Sequence, residues 1–69
     1  MSKITGYVVY PSCSGYSSLA LARRAAEVES DAEEEGQSRI ERCSGGTVAC
    51  YRHGHIDEEE TKMQKAREA

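Results

Sequence analysis

One long segment of helix-forming residues, from about Ser18 to Glu35, constrains this chain more than any other feature. The segment is rich in Ala, Leu, Glu and Arg, which have high helix propensity. Gly36 follows it and suits the left-handed conformation at which helices commonly end. Apolar residues recur in the segment at spacings of four, three and four, at Leu21, Ala25, Val28 and Ala32. We expect this stripe to pack on a sheet, widened by Leu19, Ala22 and Ala26.

Two other regions have the composition of β-strands. KITGYVVY, residues 3–10, is rich in β-branched and aromatic residues, and Pro11 should end it. SRIERC and TVACYRH, residues 38–43 and 47–53, flank the Ser44–Gly46 segment, which is typical of a hairpin turn. The serine-rich stretch between the first strand and the helix is interpreted as a loop. It offers several possible helix N-caps, namely Ser12, Ser14, Ser17 and Ser18.

The C-terminal segment IDEEETKMQKAREA is predicted to form a second, shorter helix. Asp57 suits its N-cap and Glu60 stands at the capping-box position. Its apolar face consists only of Ile56, Met63 and Ala66, so we expect weak docking and fraying. The predicted fold is therefore a small α+β domain of order β-α-β-β-α. It has a three-stranded antiparallel or mixed sheet with the long helix on one face and a short C-terminal helix.

The length of 69 residues fits a single domain, residues 1–69, with a small core and no deep cleft. Arg23 and Arg24 interrupt the apolar stretch from Leu19 to Ala26, so we expect neither a signal peptide nor a membrane-spanning helix. These features favour a cytoplasmic protein that does not bind membranes.

The twelve acidic residues fall mainly into two blocks, 27–35 and 57–60. The second block lies in a first helical turn, where the helix dipole favours negative charge. The first block ends its helix with Glu33, Glu34 and Glu35, where each charge costs roughly 0.3–1 kcal/mol. Charge runs are usually solvated faces, but this one has no visible structural compensation. We therefore interpret it as a surface for a basic partner.

Cysteine and histidine residues offer a possible metal site. Zinc is bound by four such side chains, and candidates are Cys43, Cys50, His53 and His55. The chain has no C-x-x-C pair, and on a regular strand Cys50 and His53 point to opposite faces. An odd count of three cysteines does not make a disulfide framework. We expect free thiols with no metal and no cofactor, and keep a small zinc-stabilised regulatory module as the alternative.

No group of residues supplies a nucleophile, a base and an oxyanion site together, so we do not expect an enzyme. The two tyrosines of the first strand have opposite parity and could add aromatic surface to an interface. The expected partner-binding residues are Glu27, Glu29, Asp31, Glu33, Glu34, Glu35, Asp57, Glu58, Glu59, Tyr7 and Tyr10. An acidic surface repels nucleic acid, so the expected partner is a basic protein surface. The chain is expected to be a monomer or a homodimer.

In its length and in the blocks EVESDAEEE and DEEE, the chain resembles the small acidic proteins that phages encode to block host defence. Anti-CRISPR proteins and other DNA mimics are examples. The resemblance implies an inhibitor that acts in the host-cell cytoplasm and occupies a positively charged nucleic-acid channel of its partner. The net charge of −3 departs from the stronger acidity of such mimics, which leaves open docking through tyrosines and specific ion pairs.

Overall fold

The computed structural model describes residues 6–32 and 36–68, which contain five strands and two helices. In chain order they are β1 (Tyr7–Tyr10), β2 (Ser14–Tyr16), α1 (Leu19–Ala32), β3 (Gln37–Arg42), β4 (Thr47–Arg52), β5 (His55–Ile56) and α2 (Glu58–Glu68). The strands form one antiparallel sheet in the order β2-β1-β3-β4-β5. The α+β class is confirmed. The three-stranded sheet is corrected to five strands, because β2 and β5 add one strand at each edge.

Strand β2 lies in the segment predicted to be a loop. It pairs with β1, and the register places Tyr16 opposite Tyr7. Serine and glycine have low β propensity, so the composition of Ser14–Gly15 conceals this strand. The aromatic cross-strand pair supplies the favourable contact instead. Pro11 ends β1 as predicted, and α1 begins directly after Ser18, whose carbonyl accepts a hydrogen bond from the Ala22 amide.

The other added strand, β5, is only two residues long. It is joined to β4 by His53 and Gly54, which both have positive φ, at 51° and 85°. Positive φ at two successive residues is typical of the tight hairpin turn whose twist matches that of the strands. A histidine at the first position is an uncommon turn residue, so composition did not predict the hairpin.

The predicted hairpin from β3 to β4 is confirmed, and its register contains a bulge. Ile40 pairs with Ala49 whereas Glu41 pairs with Thr47, so Val48 is the extra residue. Cys50 pairs with Arg39, and Cys43 follows the end of β3, so these two cysteines are not cross-strand partners.

Helix α1 packs on one face of the sheet through Ala22 and Ala26, which were predicted only to widen the stripe, and not through its predicted centre. Its buried residues are Ala22, Ala26 and Ser30, whereas Leu21 is 55% exposed and Val28 is 62% exposed. The stripe of small side chains faces the core because it lets the helix backbone come close to β3. At this contact the Ser38 hydroxyl donates a hydrogen bond to the Ala26 carbonyl at 2.6 Å. The buried apolar cluster consists of Val9, Ala22, Ala26, Ile40, Ala49 and Tyr51.

Helix α2 lies along β4 and docks through polar groups. The Cys50 amide donates to Thr61 Oγ1 at 2.8 Å, and the Thr47 amide donates to Glu68 Oε1 at 2.8 Å. Both are backbone amides that a neighbouring strand would otherwise pair. The predicted apolar face of this helix is wrong, because Ile56, Met63 and Ala66 are all exposed. The N-cap is confirmed by Asp57 Oδ1, which accepts from the Glu60 amide at 3.0 Å.

Candidate protein-binding surface

The C-terminal end of α1 meets the turn between β4 and β5. The Gly54 amide donates to Ser30 Oγ at 2.8 Å, and the His53 amide donates to the Gly36 carbonyl at 2.8 Å. Gly36 has the predicted positive φ, at 67°, and a Cβ there would lie 2.4 Å from the His53 ring. The close approach of this turn therefore requires glycine.

The same contact brings the described parts of the two acidic blocks to one end of the molecule. Asp31 Cβ lies 3.6 Å from the position that a Cβ on Gly54 would take. Three residues later in the chain, Asp57 begins α2. We call this the acidic end, defined by Asp31, Asp57, Glu58 and Glu59. The predicted residues Glu33, Glu34 and Glu35 lie outside the described residues.

Several acidic side chains are bound within the protein. Glu29 accepts two hydrogen bonds from Ser12, one from its amide at 3.1 Å and one from its hydroxyl at 2.7 Å. Asp57 caps α2, and its Oδ2 lies 3.5 Å from Arg52 Nε. Of the predicted partner-binding residues, Glu29 and Asp57 thus have structural contacts of their own. Their role in binding a partner stays a prediction.

Four other acids behave differently. Glu27, Asp31, Glu58 and Glu59 are exposed, and none of their carboxylates forms a hydrogen bond or an ion pair with another residue in 6–32 or 36–68. A carboxylate without an internal partner keeps its full charge available to a second molecule. Three of these four belong to the acidic end, and Glu27 lies one turn of α1 before Asp31.

Basic residues gather at the opposite end. The last turn of α2 holds Lys65 and Arg67, and the Glu68 carboxylate at its end is bonded to Thr47 at the start of β4. Arg42 ends the neighbouring strand β3, and its guanidinium approaches Gly46. The carboxylates without a described partner thus lie towards one end of the sheet and Arg42, Lys65 and Arg67 towards the other, while Arg52 at the acidic end is paired with Asp57. Such a separation of charge orients a charged partner during approach.

The two tyrosines of β1 point to opposite faces of the sheet. Tyr7 packs against the core beneath α1, so little of its ring is available to a partner. Tyr10 lies on the other face, where the Arg39 guanidinium stacks over its ring at 5.1 Å from the centroid. Arg39 Nε also lies 2.7 Å from Glu41 Oε2, an ion pair whose angle does not suit a hydrogen bond.

Tyr10 borders a groove of about 520 Å³ between the open sheet face and α2. Arg39, Cys50, Arg52, Glu60 and Gln64 also line it. Burial, and next the nearby Glu60 carboxylate, raise the pKa of the Cys50 thiol. Cys50 is thus held as a neutral thiol and is a poor nucleophile. No sequence pattern indicates this groove, because its lining residues come from β1, β3, β4 and α2 and meet only in the folded chain.

The proposed zinc ligands are not brought together. Cys43 is exposed in the turn after β3, Cys50 is buried beside α2, and His53 lies over Gly36. Among residues 6–32 and 36–68, no three His, Cys, Asp or Glu side chains come close enough to hold a metal ion. The zinc alternative gains no support from this geometry.

Within the described part of the chain, neither helix has both the length and the apolar character needed to cross a membrane. Comparison with known proteins adds no relationship, since no family model, curated protein or solved structure matches this chain.

Proposed function

We propose that the protein is a non-enzymatic binding module that docks its acidic end on a basic, nucleic-acid-binding surface of a partner protein. One observation carries the proposal: Asp31, Glu58 and Glu59 lie on the two segments that flank the turn between β4 and β5, and their carboxylates have no partner among residues 6–32 and 36–68. In the sequence Glu33, Glu34 and Glu35 belong to the same acidic block as Asp31. Among the described residues, three of the four carboxylates without a partner thus belong to the acidic end.

The chemistry of the partner follows from the charge. Several carboxylates on a folded domain present negative charge at fixed positions. A protein surface that binds the phosphates of nucleic acid is positively charged and can therefore bind these carboxylates. The segregation of Lys65 and Arg67 to the far end removes the repulsion that mixed charges would cause in the interface. By occupying a surface that normally holds nucleic acid, the module would act as an inhibitor, as the resemblance to phage anti-defence proteins implies.

The first test is affinity capture from a candidate host lysate, with mass spectrometry of the retained proteins. Two baits are compared with the parent: Glu33→Gln/Glu34→Gln/Glu35→Gln, and the matched control Lys65→Gln/Arg67→Gln at the opposite end. Asp31 is left unchanged in both. We expect the parent and the control to retain the same nucleic-acid-binding protein and the acidic variant to lose it. Retention should weaken as salt rises, because exposed ion pairs are screened over a Debye length of roughly 8–10 Å.

Thermal melting of the same variants separates binding from folding. Glu33, Glu34 and Glu35 follow the last described residue of α1 in the sequence, near the negative end of its dipole, so their replacement should leave the melting temperature unchanged or raise it slightly. An acidic variant that melts lower than the parent, yet captures the same partner equally well, would show that these carboxylates serve the fold. That result would contradict the proposed function.

A further inference from the structure

The predicted stripe on α1 has a regular spacing but does not face the sheet. We call Leu21, Ala25, Val28 and Ala32 the α1 seam. Leu21, Val28 and Ala32 are exposed, and Ala25 is half-buried. Spacings of four, three and four follow the narrow a/d pattern that packs one helix against another in a coiled coil. The monomer therefore carries a helix-packing seam with no described helix against it.

The surroundings of the seam are open and largely apolar. A groove of about 380 Å³ runs beside it and is lined by Tyr16, Leu21, Arg24, Ala25, Val28 and Glu29. Tyr16 belongs to β2, whose outer edge pairs with no strand in the described residues. Ser14–Gly15–Tyr16 carries no charge, proline or bulge, the features that usually protect an edge strand. A second molecule can therefore reach the seam without meeting a charged barrier from β2.

We propose that a second copy of this chain covers the seam, with its α1 antiparallel to the first. The seam is symmetric about a point between residues 26 and 27, as a twofold axis requires. An axis there places Leu21 opposite Ala32 of the partner subunit. It also places Val28 opposite Ala25 of the partner subunit. Each large side chain thus meets a small one, which lets two helices approach closely with interlocking side chains.

The charges beside the seam select the antiparallel direction. Arg24 and Asp31 are seven residues apart, so they lie along the same flank of α1. In the antiparallel pair, Arg24 lies near Asp31 of the partner subunit, and the symmetry repeats this ion pair once. A parallel pair would instead place Arg24 near Glu29 of the partner subunit, and the Glu29 carboxylate already accepts two hydrogen bonds from Ser12. It would also place Leu21 against Leu21 of the partner subunit, so that large side chains meet large ones. The sizes of the seam side chains and the Arg24–Asp31 pairing therefore favour two copies that run in opposite directions.

The contact is small, so the dimer is weak. Helix α1 has 14 residues and is about 21 Å long. A helix pair of this length buries less than the roughly 800 Å² per partner of a standard interface, so we expect a dissociation constant on the order of 100 µM. This inference shares only Asp31 with the proposed function, and it uses neither Glu58 nor Glu59, so Leu21→Lys can abolish pairing without touching the acidic end.

Sedimentation velocity of the full chain, over a wide range of concentrations at low salt, tests the pairing. The parent should shift from monomer to dimer as concentration rises. Leu21→Lys should weaken association by about tenfold or more, because it places a charge in the seam. Met63→Lys is the matched control on α2, where Met63 is 47% exposed, and it should dimerise like the parent. Circular dichroism checks that each variant is folded.

A charge exchange tests the direction of the helices. Arg24→Glu alone and Asp31→Arg alone should each dimerise less than the parent, because like charges then face each other. An equal mixture of the two variants should recover association, because both ion pairs of the mixed dimer are favourable. A parent that stays monomeric at every concentration would show that no second copy covers the seam, and would overturn the proposal. The proposal would also be overturned if the mixture of Arg24→Glu and Asp31→Arg associated no more strongly than either variant alone. The same holds if Met63→Lys weakened association as much as Leu21→Lys does.

Discussion

The two helices of this domain dock on the same sheet by opposite means. Helix α1 buries the small side chains Ala22 and Ala26 and leaves its largest aliphatic residues, Leu21 and Val28, outside. Helix α2 buries almost no apolar surface and is attached through Thr61 and Glu68, which bind backbone amides of β4. One helix is held by close packing and the other by hydrogen bonds to a strand edge.

The charges of the two helices differ in the same way. Helix α2 has Glu58, Glu59 and Glu60 in its first turn and basic residues in its last, as the dipole favours. Helix α1 has no acid in its first turn and no base in its last described turn. The helix whose charges suit its own stability is the one with few apolar contacts. The helix with unfavourable charges is the one anchored by the core, whose packing compensates for their cost.

The largest effect should come from filling the close contact under α1. Ala26 is fully buried, and its carbonyl accepts the 2.6 Å bond from Ser38. Ala26→Leu adds three carbon atoms where none fit, so we expect a loss of about 3 kcal/mol in the free energy of unfolding. Val28→Leu, on the exposed side of the same helix, is the matched control and should change it by less than about 0.5 kcal/mol. Urea denaturation at low protein concentration measures both. Equal losses would show that α1 packs through Val28 after all.

A smaller loss should follow from breaking the attachment of α2. Thr61→Val keeps the shape of the side chain but removes the oxygen that accepts the Cys50 amide. The amide is left buried and unpaired, which costs about 2 kcal/mol. Thr61→Ser keeps the hydroxyl and serves as the control. If the valine and serine variants unfold at the same urea concentration, the hydrogen bond does not hold the helix.

The comparison also explains what could be predicted from the sequence. The helix-forming composition, Pro11, the hairpin turn and the Asp57 cap are local signals, and each is confirmed. The packing face of α1 depended on a choice between two stripes on one helix. The large residues Leu21 and Val28 placed the centre of the predicted face too far from Ala22 and Ala26, because a sequence does not show that Ser38 approaches the helix closely at Ala26.

Both edge strands escaped prediction because they depend on tertiary pairing more than on their own propensity. Ser14 and Gly15 form a strand because β1 lies beside them, and His55 does so after a tight turn. The acidic end was predictable as two blocks of charge. Their proximity was not, since it results from the contact of Ser30 with Gly54.

The smallest effect concerns the last residue that holds α2, and it should depend on pH. The Glu68 carboxylate accepts hydrogen bonds from the hydroxyl and the amide of Thr47. These bonds, first that of the hydroxyl, lower the pKa of Glu68 below its ordinary value of 4.5. A carboxyl group with a lower pKa in the folded state stabilises that state above its unfolded pKa. The contribution disappears as the pH falls through the folded pKa.

Glu68→Gln should therefore be less stable than the parent at neutral pH, because an amide accepts only through its single oxygen. The difference should shrink as the pH is lowered from about 4.5 towards the pH at which the parent unfolds. Glu59→Gln is the matched control, because Glu59 lies on the same helix and has no bonded partner among the described residues. Urea midpoints at successive pH values provide the measurement. If the parent and Glu68→Gln differ by the same amount at every pH, the ionised carboxylate does not hold the end of α2 on β4.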